Sequence, residues 1–373
     1  MREKLSGYIL CLLFLLGIFA MALLFWLLPK EDFSEKEKRY LEKPPELSWD
    51  SLSSGAFGEK AEKYMADHLP FRDFLVGVAA NAERFVGLQV TKDIYVGESG
   101  RLYEAPYREN SAATETNMAA INDFAKTLDT PVDFMLVPSA GYMMQDDIQG
   151  LKDPYIDNEL IAAAYGKAGE NVRCIDLLEP FGRAERERLY YRTDHHWTGY
   201  GAWLAYREYM QSLGRDSLTE EEYALSYIPD FYGSTYSRSG FWQYPPEDME
   251  IWDDGGSYSV SFSDREGSFD SLFFPERLEE ADKYTYWLDG NHPLVRIENQ
   301  DPEARDSLLV IRDSYSNCLG CFLAGSYKTV VLADLRYYKD ALSELYRQEN
   351  FDNVLIVYSI GNFLTDNNFV WLE

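Results

Sequence analysis

The chain has 373 residues, and 35 Lys and Arg against 63 Asp and Glu leave a formal charge of −28 at pH 7. That balance excludes nucleic acid as a partner, because there is neither a surplus nor a local run of cations to neutralise phosphates. With 46% hydrophobic and 15% aromatic residues, the composition is that of a folded globular protein, either two domains or one elaborated α/β domain.

The first element is apolar: Tyr8 to Leu28 (YILCLLFLLGIFAMALLFWLL) carries no charge. At about 1.5 Å per residue it spans the roughly 30 Å hydrocarbon layer as one helix. Pro29-Lys30-Glu31-Asp32 follows with no small-x-small cleavage site, which favours a retained anchor over residues 1–28 rather than a removed signal peptide. Arg2 and Lys4 place the N-terminus in the cytoplasm, whereas Lys30, Lys36, Lys38, Arg39 and Lys43 pull the positive-residue count the other way. The reading taken is a single-pass protein of the cell membrane with its C-terminal domain extracytoplasmic. Residues 29–55, polar with Pro44-Pro45 and a Ser/Gly cluster, read as a stalk.

The remaining chain, 56–373, reads as one α/β domain. Residues 56–87 carry a helical pattern interrupted at Leu69-Pro70, and Asp93 to Glu104 reads as a hairpin turning at Gly97 to Gly100. Strands and helices then alternate. Helix Ala112–Leu128 precedes strand Val132–Pro138, and helix Glu159–Ala168 precedes strand Asn171–Leu178. The rhythm returns with strand Ser307–Asp313, helix Tyr315–Ala324, strand Thr329–Leu335, helix Lys339–Arg347 and strand Asn353–Ser359. These apolar runs lack strict alternation, as expected of a mostly parallel sheet covered by helices on both faces. Between the halves, residues 219–305 are aromatic, acidic and Gly/Ser-rich, and read as an insertion of irregular loops and short strands. Cys11 lies in the apolar stretch, and Cys174, Cys318 and Cys321 define no disulfide framework; Cys318 and Cys321 sit in an apolar segment where cysteine acts as a small core residue.

Of four histidines, at 68, 195, 196 and 292, two adjoin in Thr193-Asp194-His195-His196-Trp197-Thr198-Gly199, with Thr198 placed to cap the helix that follows. If Asp194 to His196 is extended, Asp194 and His196 share a face and His195 points away, so the carboxylate orients the imidazole as a general base. The hydroxyl for that base is best supplied by Ser314, where an apolar strand ends and a helix begins, with the Ser314 and Tyr315 amides directed outward to hold an oxyanion. Two other readings stand beside this one. Asp313-Ser314 is also a plain helix cap, and Asp194 with the two histidines is also a divalent-metal set. His68 and His292 read as ordinary loop or surface residues.

The string TDHHWTGYGA, the strand ending in DSYS, and an apolar N-terminal helix followed by FSEKEKRYL together resemble the DHHW family of bacterial membrane-anchored proteins. That family is similar to the SGNH-hydrolase-like domain of alginate O-acetyltransferases. The resemblance implies an SGNH-like sheet with Ser314 as nucleophile, His196 as base and Asp194 as its orienter; no cofactor or metal is expected. Arg312 stands where the broader SGNH pattern has glycine, and is expected to line the mouth or fold back on a carboxylate. His195 and Arg312 are expected as neighbours of the three catalytic residues, and Asn362 and Arg336, at strand ends, as further oxyanion donors; the plainer roles are a turn for Asn362 and a surface ion pair for Arg336. The function expected is an O-acetyltransferase or carbohydrate esterase acting on acetyl esters of a cell-surface polysaccharide. A transferase would need a multi-pass membrane acyltransferase as donor, since one helix cannot carry acyl groups across a bilayer. The alternative is a non-catalytic glycan-binding or scaffold protein that has kept the fold. Tyr232, Trp242 and Tyr244 in the insertion are expected as sugar-stacking surfaces or as packing of the loop.

Overall fold

Val-, Ile- and Leu-rich runs without alternation can be satisfied only by burial on both faces, and they form the centre of one large sheet. The computed structural model describes residues 2–85, 90–150 and 153–373. The chain divides into two compact units, Met1–Leu88 with Ser237–Gln243, and Gln89–Tyr236 with Tyr244–Glu373.

The smaller unit begins with helix α1 (Arg2–Leu27), in which Ser6–Leu27 is long and apolar enough to cross a membrane. A short pairing of β1 (Phe33–Ser34) with β2 (Arg39–Tyr40) leads to α2 (Trp49–Ser53), α3 (Ala56–Asp67) and α4 (Arg72–Phe85). The break falls at Leu69-Pro70 as its proline dictates, and residues 86 and 87 of the expected helical pattern lie outside the described residues. The segment read as a stalk does not run free of this unit. Arg39 forks onto Asp67 at 2.9 and 2.5 Å, and Glu37 accepts from Arg39 Nε at 2.7 Å and Arg72 Nη1 at 2.8 Å. The Arg39 fork holds the Asp67 carboxyl down at about 2. Two charges of this segment, Glu37 and Arg39, are thus held in ion pairs.

The larger unit opens with an antiparallel sheet of β3 (Val90–Thr91), β4 (Ile94–Val96) and β5 (Leu102–Glu104), the expected hairpin, with Gly100 at φ +81° in its turn. Its main sheet contains β6 (Val132–Val137), β7 (Val172–Ile175), β10 (Tyr258–Phe262), β11 (Arg265–Phe269), β12 (Leu294–Asn299), β13 (Ser307–Arg312), β14 (Thr329–Ala333) and β15 (Asn353–Ser359), in the order β11-β10-β12-β14-β13-β15-β6-β7. From β14 to β7 every pairing is parallel, and β10 to β12 continue the sheet antiparallel. The expected loop insertion is therefore partly regular, since β12 bonds to β14 and extends the sheet, while β8 (Ala224–Phe231) and β9 (Glu247–Asp253) pair separately. Residues 237–243 of that stretch belong with the smaller unit.

Helices cover both faces. Leu308 and Val310 of β13 share one core with Ala202 and Tyr206 of the helix Gly199–Ser212 and with Leu319 and Phe322 of the helix Ser316–Ala324. Leu309 and Ile311 point into a second core with Ile121 and Phe124 of the helix Ser111–Lys126 and with Leu342 and Tyr346 of the helix Leu342–Glu349. Strand β13 thus lies at the middle of a helix–sheet–helix sandwich, with its C-terminal end opening onto the site.

Candidate active site

Past Arg312 the chain leaves the sheet in a turn fixed by Asp313, which is fully buried. Its carboxylate accepts from the Tyr315 amide at 3.1 Å, from the Ser359 amide at 2.8 Å and from Asn362 Nδ2 at 2.8 Å. The turn is thereby tied to the end of the neighbouring strand β15. Asp313 and Ser314 read together as a cap in the sequence, and the structure separates them: Asp313 holds the backbone, and Ser314 spends its hydroxyl elsewhere.

That hydroxyl lies 2.7 Å from His196 Nε2. On the other side of the ring, Nδ1 is 2.6 Å from Asp194 Oδ1, and the same oxygen accepts the His196 amide at 2.8 Å. Asp194 Oδ2 accepts the Ser234 amide at 2.6 Å. Both Asp194 and His196 are buried. Burial pushes the Asp194 carboxyl up, but the His196 and His195 imidazoles and the hydrogen bonds from His196 outweigh it and hold the group well below the usual carboxylate range. An ionised carboxylate at Nδ1 keeps the proton there and leaves Nε2 as the acceptor facing Ser314.

The extended conformation expected for Asp194 to His196 is not the one found. Tyr190 bridges to Trp197, and the Tyr191 amide bonds to the His196 carbonyl at 3.3 Å, so the motif is the tip of a closed loop. Because Asp194 accepts from the backbone two residues on, the loop bends as an Asx turn and both imidazoles come to one side. His195 does not point away: its ring centroid is 3.9 Å from that of His196, and its Nδ1 lies 2.6 Å from Ser234 Oγ. Trp197, fully buried, donates its indole N–H to the Tyr315 carbonyl at 3.0 Å and pins the loop to the serine turn.

The insertion supplies what sequence reasoning missed. Tyr284 stacks face to face on His196 at 3.9 Å and 9°, and its hydroxyl finds no partner among the described residues. Glu247 accepts from the Arg192 and Thr193 amides at 2.8 and 2.7 Å and from the Thr193 hydroxyl at 2.6 Å. A Cβ at Gly233 would meet Asp194 Cβ at 2.3 Å and the Thr193 carbonyl at 2.4 Å, so only glycine lets this segment press against the motif. No local pattern marks such residues, because each acts from a distant part of the chain; only Asp313, directly before the serine, was within reach of sequence.

Other expected residues take different places. The Tyr315 amide is engaged by Asp313 and does not point outward for an oxyanion; its ring instead packs near His196 and its hydroxyl bonds the His195 carbonyl. The Ser314 amide has no internal partner among the described residues. Asn362 gives one amide hydrogen to Asp313 and keeps a second. Arg336 forms a fork on Asp334 at 2.9 and 2.6 Å, the ion-pair role rather than the oxyanion role. Arg312 lines no mouth and bonds no carboxylate: it is fully buried, with Nη1 on the amide oxygens of Asn317 and Asn291 and with Nε and Nη2 unpartnered among the described residues. As the last residue of a central strand it has only interior to enter. Tyr232 packs on Tyr236, and Trp242 falls in the smaller unit under Lys36. Donor atoms of Asp194, His195 and His196 lie within 4.8 Å of one another, close enough for a divalent ion, which would have to take a His196 nitrogen from Ser314 or Asp194. Cys318 and Cys321 are buried in the core, and burial pushes both thiols up.

The architecture is a mixed α/β fold, a mostly parallel sheet covered by helices, with Ser314 at a central strand end beside the His196–Asp194 pair of an upstream loop. The family model described as "DHHW protein" matches residues 95–333, and the chain belongs to the DHHW family. A DHHW family protein from Eubacterium siraeum is similar at TM-score 0.66 and 21% identity, covering 75% of this chain and 94% of that one. Bacillus cereus PatB1, solved with a sulfonyl adduct, is similar at TM-score 0.64 and 23% identity, covering 75% and 98%. The O-acetyltransferase domain of Pseudomonas putida AlgJ matches more loosely, at TM-score 0.45 and 14% identity, covering 75% and 95%. No curated protein matches the chain.

Proposed function

We propose that this protein is a serine O-acyltransferase or esterase acting on acetyl esters of a cell-surface polysaccharide, anchored by α1 with its larger unit outside the cell. The observation that carries the acyl chemistry is Ser314 Oγ at 2.7 Å from an imidazole whose other nitrogen is held by a buried carboxylate at 2.6 Å. The carbohydrate half of the reading rests on the similarity of the DHHW family, to which the TDHHW string points, to the domain of alginate O-acetyltransferases.

Ser314 Oγ attacks the ester carbonyl while its proton passes to His196 Nε2, and the imidazolium formed is balanced by Asp194 and stacked on Tyr284. The oxyanion is held by the Ser314 amide, with the second amide hydrogen of Asn362 as a further donor. Collapse returns the proton to the leaving alcohol and leaves an acyl-serine, which a sugar hydroxyl or water then attacks with His196 again as base. Transfer and hydrolysis differ only in that acceptor. A transferase of this topology takes its acyl group from a multi-pass membrane partner.

The test is release of acetate from an aryl acetate by the wild type and by Ser314→Ala, with and without an oligosaccharide acceptor. A fall on the order of 10⁴ or more is expected, together with loss of labelling by a sulfonyl fluoride. Turnover unchanged in the alanine variant refutes the triad and leaves a glycan-binding or scaffold role.

A further inference from the structure

A helix that packs one face and leaves the other to water is ordinarily polar on the open side, and α4 is not. Phe71, Phe74, Leu75, Val78 and Phe85 recur at helical spacing along one stripe and are exposed, Phe74 at 69% and Phe85 at 92%. Scattered exposed apolar residues need no explanation, but an aromatic stripe along a whole helix does. The opposite face is already used. Val76 and Ala80 lie against Gly240, and Gln243 donates to Asn81 at 2.9 Å. Arg72 is paired with Glu37 at 2.8 Å and Asp73 with Lys36 at 3.8 Å, so the helix is fixed with its apolar side outward.

Its height is fixed as well. Tyr64, in the last turn of α3, packs edge-on against Phe25 of α1 at 6.0 Å, and Lys30 Nζ lies 3.4 Å from the His68 carbonyl. The start of α4 therefore stands beside the last turn of the apolar helix, where Leu27, Leu28 and Pro29 give way to charge. Phe71 turns the chain there at φ +58°, a conformation bulky side chains rarely adopt.

We propose that α4 lies in the membrane–water interface with its apolar stripe in lipid, a second attachment beside α1. The proposal rests on α1 being a retained anchor. With a net charge of −28 the chain gains nothing from anionic headgroups, so apolar insertion and not charge holds the helix down.

The test uses the full chain in phosphatidylcholine nanodiscs, with Cys11 and Cys174 replaced by Ala and a nitroxide placed singly at Phe74→Cys, Val78→Cys or Phe85→Cys. Glu62→Cys, exposed on α3, serves as the aqueous reference, and native Cys11 labelled in its own variant reports on α1. Collision with oxygen relative to a water-soluble nickel chelate is expected to be at least about threefold higher at positions 74 and 78 than at 62. A ratio at 74 and 78 equal to that at 62 overturns the proposal. So does low collision with both reagents, which means that protein covers the stripe. A lipid reading at Cys11 with water at α4 sinks the second attachment alone, whereas water at Cys11 shows that the anchor has failed and takes the proposal with it.

Discussion

Asp194→Asn is the sharpest perturbation available, because the side chain keeps its size and loses its charge at the centre of three hydrogen bonds. The carboxylate accepts from the His196 amide at 2.8 Å, from His196 Nδ1 at 2.6 Å and from the Ser234 amide at 2.6 Å. Asparagine has one acceptor oxygen, so its NH2 must face a donor on one side. Turned toward Ser234, it opposes an amide N–H and costs about 1–3 kcal/mol of stability for the unpaired groups. Turned toward His196, it forces the imidazole to accept at Nδ1 and to carry its proton on Nε2, where it can no longer take one from Ser314. In either orientation the imidazolium loses its counter-charge. A fall of about 10³ to 10⁴ in kcat is expected, or about 4–5.5 kcal/mol of transition-state stabilisation. The assay is aryl-acetate turnover by variants checked for folding by circular dichroism. If the Asp194→Asn variant turns over within about tenfold of wild type while Ser314→Ala remains dead, Asp194 does not orient the base.

Two further outcomes follow from the same geometry. Tyr284 stacks on His196 without using its hydroxyl, so Tyr284→Phe leaves kcat within about twofold, while Tyr284→Leu loses about 0.5–1.5 kcal/mol of ring contact and slows turnover by up to about tenfold; equal losses in both would place the effect in the hydroxyl. Asp157 is fully buried with Oδ1 unpartnered among the described residues, and burial raises its carboxyl above the usual range. Its raised value means the folded state holds the proton longer than the unfolded chain does. The stabilising contribution is therefore complete below about pH 4 and is lost as pH rises through the folded value. Asp157→Asn removes that slope, so chemical denaturation against pH should show the variant gaining stability relative to wild type on going from pH 4 to 7.

The parallel strands, their helices and the helical N-terminal span were legible because each depends on local pattern: period, caps and apolar runs act within about ten residues. The meeting of Ser314, His196 and Asp194 was legible in part, from a strand end and an Asp-x-His spacing, although the pair is made by an Asx turn and not by the extended segment expected. Where expectation and structure part, the cause is either a carboxylate two residues back that claims the donor or the place of the strand within the sheet. The Tyr315 amide is taken by Asp313, Arg336 is taken by Asp334, and Arg312 is drawn inside because its strand is central. The stretch 219–305 read as irregular loops and short strands because its strands mix polar and acidic residues with apolar ones and are only partly buried, and β12 became part of the sheet only by finding the edge of β14. Tyr284, Glu247 and Ser234 cannot be picked out from their own neighbourhoods. Burying an imidazole and a carboxylate together requires donors and a covering ring, and only the closed chain determines which distant residues provide them.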